Sequence, residues 1–73
     1  MDPFEKLANA IVLQAVEDYR TALSALKNAP SDGRMRYEAA KLERFFRSPW
    51  YRTLTGVDAE WLIGQLKQEV NTA

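Results

Sequence analysis

The chain has 73 residues, and ten Lys and Arg balance ten Asp and Glu for a formal net charge of zero. That length makes one domain, residues 1–73. The absence of any cysteine or histidine excludes disulfides and the usual Cys and His zinc sites.

So small a chain buries only about 60% of the surface that its unfolded form exposes, which leaves little margin of stability. With disulfides and zinc excluded, the remaining staple is self-association, and a homo-oligomer is expected. No apolar run approaches the roughly 20 residues that cross a bilayer, and no leader-like segment opens the chain. The expectation is a protein of the cytoplasm with no membrane partner.

In chain order, Asp2-Pro3-Phe4-Glu5 reads as a helix start: a capping carboxylate, a proline at the first position and an acid at the positive dipole end. The helix predicted from there runs to about Asn28, because Ala29-Pro30-Ser31-Asp32-Gly33 is a turn cluster. Phe4, Leu7, Ala8, Ile11, Ala15, Tyr19, Ala22, Leu23 and Leu26 recur at three-and-four spacing, and Val12, Leu13 and Val16 widen the stripe. A stripe too broad for its own chain to cover marks Ile11, Val12, Val16 and Leu23 as a candidate oligomer interface. Packing of the later helices on both flanks is the alternative.

A second helix is predicted from Ser31 or Asp32 to about Arg47, with Met35, Ala39, Leu42, Phe45 and Phe46 inward. Arg36, Lys41, Glu43 and Arg44 are left for solvent. Ser48-Pro49 stops this helix and starts a short third one carrying Trp50, Tyr51 and Leu54, which ends by Gly56. Asp58 caps a last helix from about Ala59 to Val70, with Trp61, Leu62, Leu66 and Val70 as its apolar stripe and Ile63 at the edge. Gly64, in mid-helix, suggests close approach of a backbone or a ring. The predicted fold is an all-α bundle of three main helices plus one short helix.

The charge is unevenly spread. Residues 1–32 carry an excess of two acids, residues 34–52 an excess of four bases, and residues 53–73 an excess of two acids again. A basic middle between acidic ends can bind an anion or pair with a neighbouring subunit. Arg44, Arg47 and Arg52 interleave with Phe45, Phe46, Trp50 and Tyr51. Arginine is the side chain best suited to planar anions and to stacking on rings. Arg44, Arg47, Tyr51 and Arg52 are therefore the candidate ligand-binding residues, and a nucleotide the candidate ligand. Ion pairing with Glu43, Glu60 or Glu69 is the competing reading of the same arginines.

Nucleic acid is a second candidate partner, through Arg36, Arg44 and Arg47 on the second helix with Arg34 at its start and Arg52 just beyond its end, although the neutral chain is a weak footprint. A protein partner is a third, since Trp, Tyr and Arg dominate interface hot spots. Catalysis has little to build on. Acid–base and nucleophilic schemes lean on His and Cys. Asp58 reads as a cap and Glu17-Asp18 as a solvated face, and no spacing of acids suggests a metal. No catalytic residue, metal or cofactor is expected.

Leu42-Glu43-Arg44-Phe45-Phe46-Arg47-Ser48, then Trp50-Tyr51, then Leu54-Thr55-Gly56-Val57-Asp58 and Glu60-Trp61-Leu62-Ile63, resemble small proteins encoded in phages and prophages of Gram-positive bacteria. In those an E-R-F-F-R-S segment is followed by an aromatic pair, an L-T-x-x-D element and a closing helix. Leu13-Gln14-Ala15-Val16 and Asp18-Tyr19-Arg20 extend the likeness over most of the chain. Pro49 stands where an acid often follows the serine, and Ala59 where glycine is common. The resemblance implies a non-enzymatic accessory protein of the host cytoplasm. The working expectation is counter-defence, by sequestering a nucleotide signal or blocking a host protein. A nucleic-acid-binding accessory protein and a structural assembly factor are the alternatives.

Overall fold

The computed structural model describes residues 2–72. Four helices follow one another: α1 (Pro3–Asn28), α2 (Gly33–Phe46), α3 (Pro49–Leu54) and α4 (Ala59–Thr72). No strand occurs among the described residues, so the fold is all-α, with three main helices and one short one.

Each helix starts where a short polar side chain satisfies the free amides that every helix leaves at its first turn. Asp2 accepts from the Phe4 amide at 2.9 Å. Asp32 accepts from the amides of Arg34 and Met35 at 3.1 and 3.2 Å. Asp58 accepts from the Trp61 amide at 2.8 Å. Ser48 has a double role: its hydroxyl donates to the Phe45 carbonyl at 2.6 Å and accepts from the Tyr51 amide at 3.2 Å. One side chain thus closes α2 and opens α3, which fixes the bend between them.

The 26-residue α1 runs nearly the full 41 Å length of the molecule, and all three other helices pack on it. The largest fully buried side chains are Tyr19 from α1, Phe46 from α2 and Tyr51 from α3, at 0, 0 and 1% exposure. Phe46 meets both tyrosines edge-on with ring centroids 5.6 Å apart, and Phe45 meets Tyr51 at 5.9 Å. Ala15, Val16 and Ala22 of α1, Ala39 of α2, and Ile63 and Leu66 of α4 complete this cluster.

The two buried tyrosines differ in their hydroxyls. Tyr19 donates to Glu43 Oε2 at 2.7 Å. Burial, and then that carboxylate, push its ionisation well above the ordinary tyrosine value. The buried Tyr51 hydroxyl has no partner among the described residues, and burial raises its pKa too.

Several sequence-based expectations need correction. Tyr51 is a core residue: the ring set aside for ligand stacking is needed to fill so small an interior. Val16 is buried, and Val12 and Leu23 pack against the same core, because the later helices cover that flank of α1. Of the four candidate interface residues, Ile11 lines an open groove between α1 and α2, and Leu23 a smaller cleft between α1 and α4. On α4, Ile63 is buried and Trp61 is exposed, so the apolar stripe is rotated from the predicted one. Glu43 is not a solvent-facing residue; its side chain is 22% exposed and turned toward Tyr19. Nothing comes within 4 Å of where a Cβ would stand on Gly64, so no close approach within the chain explains that glycine.

Two substitutions test this core. Tyr19→Phe strips the donor from a half-buried carboxylate and should lower unfolding free energy by about 1–2 kcal/mol. Tyr51→Phe removes an orphaned hydroxyl and should be neutral or stabilising, which urea titration of both variants will separate. Gly64→Ala should raise stability by up to about 1 kcal/mol in the same assay, since the open helix position gains alanine's propensity without a clash.

Candidate functional site

The packing of α2 dictates what its outer side presents. Met35, Ala39, Leu42 and Phe46 turn toward α1 and the core at helical spacing, so the three-and-four series Arg34, Tyr37, Lys41 and Arg44 falls on the opposite side. All four are exposed, Tyr37 at 60%, and Arg36 flanks them. The series spans about 15 Å along the helix axis.

The carboxylates of α2 lie off this face. Glu43 accepts from Tyr19 and sits 3.3 Å from Arg47 and 3.8 Å from Lys67. Glu38 is half-buried beside Asp18, Thr21 and Met35 in a cleft between α1 and α2 whose edge Arg34 also lines. Among the described residues, the side chains of Arg34, Arg36, Lys41 and Arg44 make no ion pair or hydrogen bond. Lys41 and Arg44, one turn apart, repel each other by a few tenths of a kcal/mol. The result is a cationic helix face with one exposed aromatic ring at its middle.

The four candidate ligand residues do not gather. Arg44 belongs to the cationic face. Arg47 is held by Glu60, with Nε at 2.8 Å and Nη2 at 3.1 Å, and touches Glu43 at 3.3 Å. That bidentate hydrogen bonding to the Glu60 carboxylate holds the Arg47 guanidinium above its ordinary pKa and brings the Glu60 carboxyl below its own. Tyr51 is in the core. Arg52 lies elsewhere, in a cleft of about 490 Å³ between the start of α1 and α3, where Asp2 and Glu5 also stand. Two carboxylates beside one arginine make a poor seat for phosphate.

The pairing reading therefore holds for Arg47 and not for Arg44 or Arg52. A further cross-fold pair escapes sequence reasoning: Arg20 of α1 meets Glu69 of α4 at 2.8 Å and Glu17 at 2.6 Å. Tyr37 is the other omission. Its signal was present, since it shares the series with Lys41 and Arg44 and lies off the Met35–Ala39–Leu42–Phe46 stripe.

Among the described residues, no three acidic side chains are gathered where they could hold a metal ion, and no helix is long and apolar enough to cross a membrane. No family model, curated protein or solved structure matches the chain.

The depressed Glu60 carboxyl predicts a pH dependence. The contribution of its pair with Arg47 is complete above the ordinary carboxylate range and is lost as pH falls through the lower titration of Glu60. Carbon-detected NMR titration should find Glu60 below the ordinary carboxylate range, and Arg47→Met should return it to that range.

Proposed function

We propose that this chain is a non-enzymatic binding protein of the phage accessory class it resembles, and that it engages nucleic acid through the outer face of α2. The observation that carries the reading is the alignment of Arg34, Tyr37, Lys41 and Arg44, with Arg36 beside them, on the exposed side of α2, with the carboxylates of Asp18 and Glu38 at its edge. A nucleic-acid strand asks for this inventory: cations at intervals for the phosphates and an exposed ring on which a base can stack. The zero net charge is compatible with it, because the acids that balance these bases lie on other elements or turn inward.

Sequestration of a small nucleotide would need Arg44, Arg47, Tyr51 and Arg52 to converge, and within one subunit they are dispersed over four environments. A second counter-defence reading, the blocking of a host protein, is favoured by the exposed Trp50 and Trp61, residues of the type that anchor protein interfaces. It predicts that loss of either tryptophan, and not of the α2 cations, abolishes the activity in infected cells.

Fluorescence anisotropy with a labelled single-stranded oligonucleotide tests the nucleic-acid reading. Three or four phosphate contacts give a slope of log affinity on log salt near −2 to −3. Arg34→Ala and Arg44→Ala should each weaken binding several-fold and make the slope shallower by roughly 0.7. Tyr37→Ala should weaken it at least five-fold, with Tyr37→Phe near wild type. Arg47→Ala and Arg52→Ala should change little. Binding that is absent at low salt, or indifferent to Arg34 and Arg44, overturns the reading.

A further inference from the structure

An open groove of about 490 Å³ runs between α1 and α2, floored by Ile11, Ala15, Leu42 and Phe45. Its rim carries opposite charges on its two walls: Asp18 on the α1 side and Lys41 on the α2 side. The two make no ion pair with each other; Asp18 accepts only from Gln14, at 2.9 Å, among the described residues. The groove is apolar within and charged at the edge, as an interface core and rim are.

We infer that the occupant of this groove is the same groove of a second copy, packed about a two-fold axis that runs along it. Such an axis lays α1 of each copy over α2 of the other. Each Asp18 then meets the partner's Lys41, and the pair forms twice, as an isologous interface requires. The alternative two-fold, across the groove, sets each wall on its own counterpart, Lys41 on Lys41 and Asp18 on Asp18, and is disfavoured by like charge. The small Ala15 leaves room for the larger Ile11, Leu42 and Phe45 of the facing copy to interlock.

Of the residues singled out from the sequence for self-association, this surface keeps Ile11 and replaces Val12, Val16 and Leu23, which serve the core. The two readings share Lys41 and otherwise use different residues, because Arg34, Arg36, Tyr37 and Arg44 lie outside the groove.

Sedimentation velocity over a concentration series decides it, with circular dichroism to confirm that each variant is folded. The wild-type chain is expected at twice its monomer mass. Lys41→Asp, which sets acid against acid at both ends of the interface, should raise the dissociation constant at least ten-fold. So should Asp18→Lys. The double exchange Asp18→Lys with Lys41→Asp should restore dimerisation to near the wild-type constant, because the pair re-forms with reversed sign. A monomer at every concentration, or a dimer indifferent to both single exchanges, overturns the inference. Loss in both singles without rescue in the double also overturns it, since the pairing across the axis is then absent. Arg44→Ala, which weakens the nucleic-acid complex, should leave the sedimentation unchanged, so the two readings fail separately.

Discussion

Three rings from three helices hold this molecule together. Tyr19, Phe46 and Tyr51 are its largest fully buried side chains, and each of the two tyrosines meets Phe46 edge-on at 5.6 Å. An aromatic contact of that geometry contributes roughly 0.5–1.5 kcal/mol beyond the area it buries. In a chain without disulfides, such contacts replace covalent staples. The ring triad also sets the order of events along the chain. Tyr19 and Tyr51 can both meet Phe46 only because Ser48 and Pro49 end one helix and begin another within a few residues. That bend is a local, sequence-encoded feature, and the core is its tertiary consequence.

The same constraint decides which charged groups are available to a ligand. Glu43 follows Tyr19 into the half-buried zone because the tyrosine hydroxyl needs an acceptor, and it draws Arg47 and Lys67 after it. Arg47 is then completed by Glu60 from α4. The ion-pair network around the core thus absorbs the arginine nearest to the rings. The cations that remain are those one turn or more away, on the side of α2 that the core cannot use.

This division explains what could be read from the sequence and what could not. Helix limits were legible almost to the residue because Asp2, Asp32, Ser48 and Asp58 act within three residues of the amides they cap. Burial was less so. The patterns at Trp61 and Ile63 differ by a rotation of the α4 stripe, and spacing alone does not say which flank a neighbouring helix will cover. Val16 and Ile11 likewise sit on one broad stripe of α1, and only the placement of the later helices separates the buried residue from the half-buried one. The arginine–aromatic segment was distinctive in sequence because it encodes the core and its bend. That density of aromatics was the reason to suspect a ligand there, and it is the reason Tyr51 has none to offer.

A net charge of zero conceals the property on which binding depends. Ten bases and ten acids cancel over the chain, yet a ligand responds to the groups within about a Debye length, roughly 8–10 Å at physiological salt. Over the outer face of α2 those include Arg34, Arg36, Lys41 and Arg44, with Glu38 at the edge beside Arg34. A two-fold pairing of the α1–α2 grooves engages Lys41 at its rim and leaves Arg34, Arg36, Tyr37 and Arg44 uncovered. It would give one particle two such faces, and a polymeric anion long enough to reach both binds the second at high effective concentration. A short anion gains nothing from the second face. Length dependence is therefore the property that links the two surfaces, and it follows from charge that is segregated by helix packing.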